Sequence, residues 1–202
     1  TFDANNKTLS AAGITVLTGS ATLTNTGGST LSITIPITHT SGNLTLGTNL
    51  TTTSATGYTF TAGTLALSTF TLTTPVFTSS GAGVRTLNYG TGQLALTGNA
   101  ATIFDVTTAT NFTSSGTVYI NCTYTGATGT RTIVTGFSEA QAASYSVATS
   151  GTTGIVLSPS ATDTVALTGS FFSVDLTGFT GTLSNTARTI YGNWTNPVSG
   201  GT

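Results

Sequence analysis

The stretch Gly83-Val84-Arg85-Thr86-Leu87-Asn88-Tyr89-Gly90-Thr91-Gly92-Gln93-Leu94-Ala95-Leu96-Thr97-Gly98 holds both elements that recur along this chain. In the first, a small-residue turn leads into Arg-Thr and an aliphatic residue. Gly83-Val84-Arg85-Thr86-Leu87 returns as Gly129-Thr130-Arg131-Thr132-Ile133 and as Thr186-Ala187-Arg188-Thr189-Ile190. In the second, an aliphatic pair closes on Thr-Gly. Leu94-Ala95-Leu96-Thr97-Gly98 returns as Val165-Ala166-Leu167-Thr168-Gly169 and Val174-Asp175-Leu176-Thr177-Gly178. Around them runs period-two alternation, as in Leu31-Ser32-Ile33-Thr34-Ile35, Tyr58-Thr59-Phe60-Thr61 and Phe70-Thr71-Leu72-Thr73. Alternation of this kind reads as short half-buried strands. The segments between, such as Thr26-Gly27-Gly28-Ser29 and Thr40-Ser41-Gly42-Asn43, have turn chemistry.

The spacing of the repeats selects the architecture. The apolar pairs Leu44/Leu46, Leu65/Leu67, Leu94/Leu96, Val118/Ile120, Tyr145/Val147 and Val165/Leu167 follow one another roughly 20 to 29 residues apart, the length of one solenoid coil. The fold expected is all-β, a parallel β-solenoid (β-helix) whose coils stack like residues in ladders and absorb length differences in their turns. A β-sandwich, or two small ones, is the alternative, since short strands with frequent turns suit it too. The one stretch of helical composition, Ser138-Glu139-Ala140-Gln141-Ala142-Ala143-Ser144, is long enough for a single turn. Residues 1–55 lack the Arg-Thr element and contain Pro36, so they are read as an N-terminal β segment forming a module of its own; residues 56–202 are read as the repetitive solenoid, part of a longer chain.

Composition narrows function. Thr is about every fourth residue, while charged residues make 4% of the chain and the formal net charge is -1. Thr favours extended backbone and gives water a hydroxyl without a charge. The four basic residues Lys7, Arg85, Arg131 and Arg188 stand singly, so there is no positive stripe for nucleic acid. No apolar run reaches the length of a membrane-spanning helix, the first residues lack the regions of a signal peptide, and the chain has no Met, which suggests a processed product or an internal piece. Lone Cys122 permits no internal disulfide and reads as a small buried side chain.

Catalytic and metal-binding constellations find little material. Glycoside hydrolysis needs two convergent carboxylates. Of Asp3, Asp105, Glu139, Asp163 and Asp175, only Asp163 and Asp175 are placed for a coil to bring together, and both read better as turn or surface residues. His39 is the sole His, which rules out a His-based metal cluster, and with one Cys leaves no zinc site. No Gly-rich segment has the Lys-Ser/Thr sequel of a phosphate loop. No catalytic residue, metal site or cofactor is therefore expected, and the protein is read as non-enzymatic. Arg85, Arg131 and Arg188 are the residues singled out, as structural turn or ladder residues whose guanidinium donors satisfy loop carbonyls. The sharper reading of the three is a spaced row facing anionic glycans or a neighbouring subunit. Asn-X-Thr sequons at Asn6, Asn43, Asn49, Asn111, Asn121 and Asn193 occur about as often as composition alone explains. Tyr58, Phe70, Phe77, Tyr89, Phe104 and Trp194 read as core or interface stacks. Thr-X-Thr pairs at Thr22/Thr24/Thr26, Thr59/Thr61, Thr69/Thr71/Thr73, Thr123/Thr125 and Thr128/Thr130/Thr132 raise ice binding, against which their irregular spacing stands.

The run Gly126-Ala127-Thr128-Gly129-Thr130-Arg131-Thr132-Ile133 resembles repeats in structural proteins of phages and marine viruses, above all tail-fibre and appendage-like proteins. So do Asp163-Thr164-Val165-Ala166-Leu167-Thr168-Gly169-Ser170, Phe179-Thr180-Gly181-Thr182-Leu183-Ser184-Asn185-Thr186-Ala187-Arg188-Thr189-Ile190-Tyr191-Gly192-Asn193 and Arg85-Thr86-Leu87-Asn88-Tyr89-Gly90-Thr91-Gly92. The resemblance covers about residues 60 to 195 and implies a fibrous β-solenoid on a virion; it brings no catalytic motif. The function expected is a structural or adhesive segment of a phage or virus fibre or virion appendage. A secreted bacterial adhesin or surface-filament subunit is the alternative, with an ice-binding protein or a glycan-degrading spike as remote ones. The partners expected are identical subunits in a homo-oligomer, other virion proteins and a host surface glycan, without nucleic acid or membrane insertion, at the virion surface or outside the cell.

Overall fold

The computed structural model describes residues 2–3, 5, 15–28, 30–99, 101–123, 129–157 and 164–196. Two short strands, β1 (Phe2–Asp3) and β2 (Thr15–Leu17), precede a coil made of β3 (Ala21–Thr24), β4 (Thr30–Ile33) and β5 (Ile37–His39). The next coils are β6 (Asn43–Leu46), β7 (Asn49–Thr52), β8 (Tyr58–Phe60), then β9 (Gly63–Ala66), β10 (Thr71–Thr74), β11 (Phe77–Thr78). After them come β12 (Arg85–Asn88), β13 (Gln93–Leu96), β14 (Ala101–Val106), and β15 (Phe112–Ser115), β16 (Tyr119–Cys122), β17 (Thr130–Thr135). The chain ends with α1 (Glu139–Ala142), β18 (Val147–Ala148), β19 (Gly154–Leu157), β20 (Thr164–Phe171), β21 (Val174–Asp175), β22 (Thr182–Leu183), β23 (Arg188–Ile190) and β24 (Trp194–Thr195).

Among the described residues, the first strand of each coil joins a six-stranded sheet A, ordered β1-β3-β6-β9-β12-β15. The second strands form nine-stranded sheet B and the third strands nine-stranded sheet C, with β23 pairing β20 beside it. All pairings between them are parallel, and the protein is a parallel β-solenoid. Sheet pairing runs across residue 55: β5 meets β8, β6 meets β9 and β7 meets β10.

Register turns alternation into ladders, because the inward residue of each strand lies on the inward residue of the strand below. Along sheet B, Leu31, Leu50, Leu72, Leu94, Ile120, Ile155, Val147, Val174 and Trp194 are successive partners. Along sheet C the inward row is Ile37, Tyr58, Phe77, Phe104, Ile133 and Leu167. Its rings stack at 6.0 Å between Tyr58 and Phe77 and 5.8 Å between Phe77 and Phe104, at 9° and 14°. Tyr58, Phe77, Tyr89 and Phe104 are fully buried, in the core read for them, whereas Trp194 stays 40% exposed as the last rung of sheet B.

Coil length in the structure differs from the spacing of apolar pairs. Leu44 and Leu65 are sheet-A partners, but the next rung above Leu65 is Leu87, and Leu94 belongs to sheet B above Leu72. With three alternating strands in every coil, an apolar pair matches equally well whichever sheet it belongs to, so the count drifts from one sheet to another.

Thr is abundant for a reason visible at the corners. At three strand ends the same carbonyl takes both the N–H and the hydroxyl of a Thr one coil later: Thr40 on Leu17, Thr61 on His39 and Thr123 on Leu96, with hydroxyl distances of 3.3, 3.1 and 3.4 Å. These hydroxyls satisfy backbone where the ladder stops and the chain turns. Close coil approach also demands glycine. Gly63 has φ +101°, and a Cβ there would lie 2.2 Å from the Gly42 carbonyl oxygen, so any side chain forces the coils apart.

The regular coils end at α1. Sheet A stops at β15, and Gln141 of α1 donates through Nε2 to the Ala109 and Phe112 carbonyls at 3.0 and 2.7 Å. A side-chain amide thus satisfies a carbonyl that a further strand would have taken, and covers the sheet edge. Ser138 and Gln141 form a capping box that starts the helix. Phe137 stacks on Phe112 at 5.9 Å and packs on Tyr145 at 4.3 Å. Sheet B then takes an order no spacing forecasts: β19 pairs with β16, and β18, earlier in the chain, lies outside β19.

Candidate functional site

The three arginines of the repeated element do not share a column. Arg85 opens β12 in sheet A, between Gly63 and Phe112, while Arg131 in β17 and Arg188 in β23 belong to sheet C. Arg85 and Arg131 are buried, which removes them from any exposed row; Arg188 is half-buried. The Arg85 guanidinium donates from Nε to Gly83 O at 2.9 Å and from Nη2 to Thr108 O and Thr110 O at 2.7 and 2.9 Å. Its Nη1 donates to the Ser79 carbonyl, and its carbon stands 5.7 Å from the centre of the Phe112 ring. Burial pulls its pKa below the ordinary value. Arg188 donates from Nε to Thr186 O at 3.1 Å and from Nη2 to Ser184 O at 2.8 Å, and it lies 5.6 Å from the Trp194 ring centre.

Three aspartates accept turn hydrogen bonds on separate sheets. Asp3, in sheet A, accepts the N–H of Asn5 and of Thr26 at 2.9 and 2.8 Å. The Thr26 hydroxyl and N–H, then the Asn5 N–H, hold its carboxyl below the usual range. Asp105, in sheet C, accepts the Thr107 N–H at 2.9 Å and the hydroxyls of Thr107 and Ser80. Burial works to raise its pKa, but these bonds together leave it lowered. Asp175, in sheet B, accepts the Thr177 N–H at 2.9 Å, and its carboxyl is lowered by the Thr177 hydroxyl and N–H. Glu139 lies in the first turn of α1. Asp163 lies outside the described residues, so the Asp163/Asp175 pair has no geometry here. Among the described residues, no group of three His, Cys, Asp or Glu side chains is placed to hold a metal ion. None of the described helices is long and apolar enough to cross a membrane.

His39 is a buried titratable group at the N-terminal end of the core. It stacks on Phe60 at 5.0 Å, its Nδ1 lies 3.2 Å from the Tyr58 hydroxyl and its Nε2 3.1 Å from the Ser41 carbonyl. A carbonyl only accepts, so the ring proton is on Nε2 and Nδ1 accepts from Tyr58. Burial lowers the His39 pKa below 6.5, against the raising effect of backbone groups at Gly42 and Ser41. A folded-state pKa below the unfolded one means that acid favours unfolding. Melting temperature is therefore expected to hold above about pH 6.5 and to fall as pH drops below it, with the slope removed in His39→Phe. A melting temperature flat from pH 7 to pH 5 contradicts this placement of the ring.

Cys122 takes the place expected of it, buried between Leu96 and Leu157 in sheet B. Burial pushes its thiol up to about 12, with the Arg131 charge working the other way. Since thiolate is the reactive form, Cys122 should resist thiol reagents at pH 8 in the native state and react completely in denaturant. Rapid labelling of folded protein would refute its burial.

A concavity of about 260 Å³ lies at the N-terminal end of the core, lined among others by Leu17, Leu23, Leu31, Ile33, His39 and Leu44. Among the described residues the outward strand positions are rich in Thr, Ser and Asn, while Phe2, Val84, Phe172, Tyr191 and Trp194 are exposed large apolar side chains. These features define a class, a charge-poor parallel β-solenoid with a largely apolar interior. Comparison with family models, with curated proteins and with solved structures finds no match.

Proposed function

We propose that this chain is a non-enzymatic structural and adhesive segment of a phage or virus fibre or other virion appendage. The observation that carries this reading is the sheet-B ladder, which continues from Leu31 to Trp194 through coils of unequal length. Stacked coils of this kind depend only on their neighbours, so the unit extends by adding rungs, which suits a shaft. The described aspartates and Arg85 bond to turns, consistent with a role in holding shape. The Thr-rich faces leave neutral hydroxyls for lateral contact with identical subunits, other virion proteins or a surface glycan. Immunogold labelling of virus-enriched particles with antibody to this chain is the test. Label along appendages is expected; label confined to cell-borne filaments would overturn the reading.

A further inference from the structure

Two neighbouring hollows form a groove where the chain turns from sheet A into sheet B. One, of about 340 Å³, is lined by Thr91, Gly92, Thr117, Tyr119, Thr152 and Thr153. The other, of about 270 Å³, shares Thr117 and Thr153 and is bounded also by Ser144 and Ser146. The break in coil order makes them. Sheet A stops at β15, so the wall beyond this corner comes from the stretch after α1 and from residues 149–153, which carry the chain from β18 back to β19. The walls are tied to the stack, since the Gly154 N–H donates to Val118 O and the Ile155 N–H to Ser146 O, both at 2.7 Å. Tyr119 opens β16 with its side chain half-buried, and its partner on β19 is Gly154, a position that sets no side chain beside the ring. At other corners Thr hydroxyls are spent on carbonyls of the coil below, as at Thr40, Thr61 and Thr123. In the groove they are not. Among the described residues, the hydroxyls of Thr91, Thr117, Tyr119, Thr152 and Thr153, and those of Ser144 and Ser146, enter no hydrogen bond of the chain, and no charged side chain lines either hollow.

We propose that this groove is the contact site of the adhesive role proposed above, on which the inference rests, and that it takes a neutral saccharide chain. A saccharide offers hydroxyls that donate and accept, and the unspent Thr, Ser and Tyr hydroxyls of the groove do the same, so each can meet a partner without a charge. A sugar ring also has an apolar C–H face, which packs on the negative face of an aromatic ring and on Thr methyls. Tyr119 supplies that ring with hydroxyls on both sides of it, from Thr91 in one turn and Thr152 and Thr153 in another. At about 340 Å³ the first hollow alone has the size of a small-ligand cleft, and the second extends it along the corner. An anionic polymer fits less well. Of the described basic residues, Arg85 and Arg131 are buried and Arg188 stands against Trp194 in the last coils, so the groove has no cation to meet a carboxylate or sulfate.

The test is biolayer interferometry of the immobilised intact chain against laminarin, dextran and mannan, which are neutral, and alginate, which is anionic. It is run beside Tyr119→Ser, the pair Thr117→Val/Thr153→Val in the groove and the pair Thr38→Val/Thr59→Val on sheet C, with folding of each checked by circular dichroism. At least one neutral polymer is expected to bind more tightly than alginate. Its affinity should fall about tenfold in Tyr119→Ser, the equivalent of one lost aromatic contact, should fall also in the groove pair, and should be unchanged in the sheet-C pair. Should Tyr119→Ser fail to fold, the groove pair decides, since it changes only exposed hydroxyls to methyls. No binding by any of the neutral polymers overturns the proposal, as does binding that survives in the groove pair or binding of alginate alone. Self-association of the chain that is lost in the groove pair, without binding of a neutral polymer, overturns it in favour of a second copy. A chain that binds none of the polymers yet labels appendages overturns this site and leaves the virion reading standing; polymer binding without appendage label does the reverse.

Discussion

Phe77→Ala is expected to cost about 3–5 kcal/mol, the range for truncating a buried aromatic whose site cannot collapse. Phe77 is fully buried and is the middle ring of the sheet-C stack, 6.0 Å from Tyr58 below and 5.8 Å from Phe104 above. Both neighbours are fixed by strand pairing, Phe77 to Tyr58 and Phe77 to Phe104, so neither ring can shift along the axis to fill the gap without breaking register. The loss also falls on an interface between coils. In a solenoid, coupling of each coil to the next is what makes unfolding cooperative, so the urea transition should broaden as well as move. A midpoint shift equivalent to less than about 1 kcal/mol would show that the ring is not a rung.

Arg85→Ala is expected to be as damaging, about 3–5 kcal/mol, although it removes a charge that has no acidic partner among the bonds described. The guanidinium gathers carbonyls from two coils: Ser79 and Gly83 from the turn before β12, Thr108 and Thr110 from the turn before β15. Without it those turns lose their common donor in a buried place, where an unmet carbonyl is costly. Arg85→Lys should recover only part of the loss, because an ammonium has three donors and no planar fork. Arg188→Ala, at a half-buried site, should cost about 1 kcal/mol or less. Thermal melts of the three variants decide the matter; equal effects at Arg85 and Arg188 would contradict the difference in their surroundings.

Those two side chains show what the sequence makes legible. The alternation around Phe77 and the recurrence of apolar pairs at coil length are enough to expect a parallel solenoid, because only a stack gives every short strand a partner. The register is not legible. Leu94 matches the pattern of Leu65 as well as Leu87 does, and pairing alone separates them. The repeated Arg-Thr element marks a local turn and not a column, since Arg85 lies in sheet A and Arg131 in sheet C. The acceptors of Arg85 are main-chain carbonyls, which have no signature in side-chain identity. The Asn and Asp turns are readable because their bonds are local, as Asp175 with Thr177. The Ser80 to Asp105 bond joins neighbouring coils and needs the register first. The cap at Gln141 is half legible: Ser138 and Gln141 announce a helix start, and nothing in the sequence announces that the same amide closes sheet A.

The stacking register is the centre of this account, and disulfide trapping tests it most directly. In a Cys122→Ala background, Thr64→Cys/Thr86→Cys places thiols on paired residues of β9 and β12, within the reach a disulfide requires. Thr64→Cys/Gln93→Cys is the pair that matching Leu65 with Leu94 would bring together, and the structure sets it on different sheets. Mild oxidation of the native protein should close the first pair rapidly and leave the second open. Closure of the second pair in preference to the first would contradict the three-sheet register on which the fold, the buried arginine and the hydroxyl-lined groove all depend.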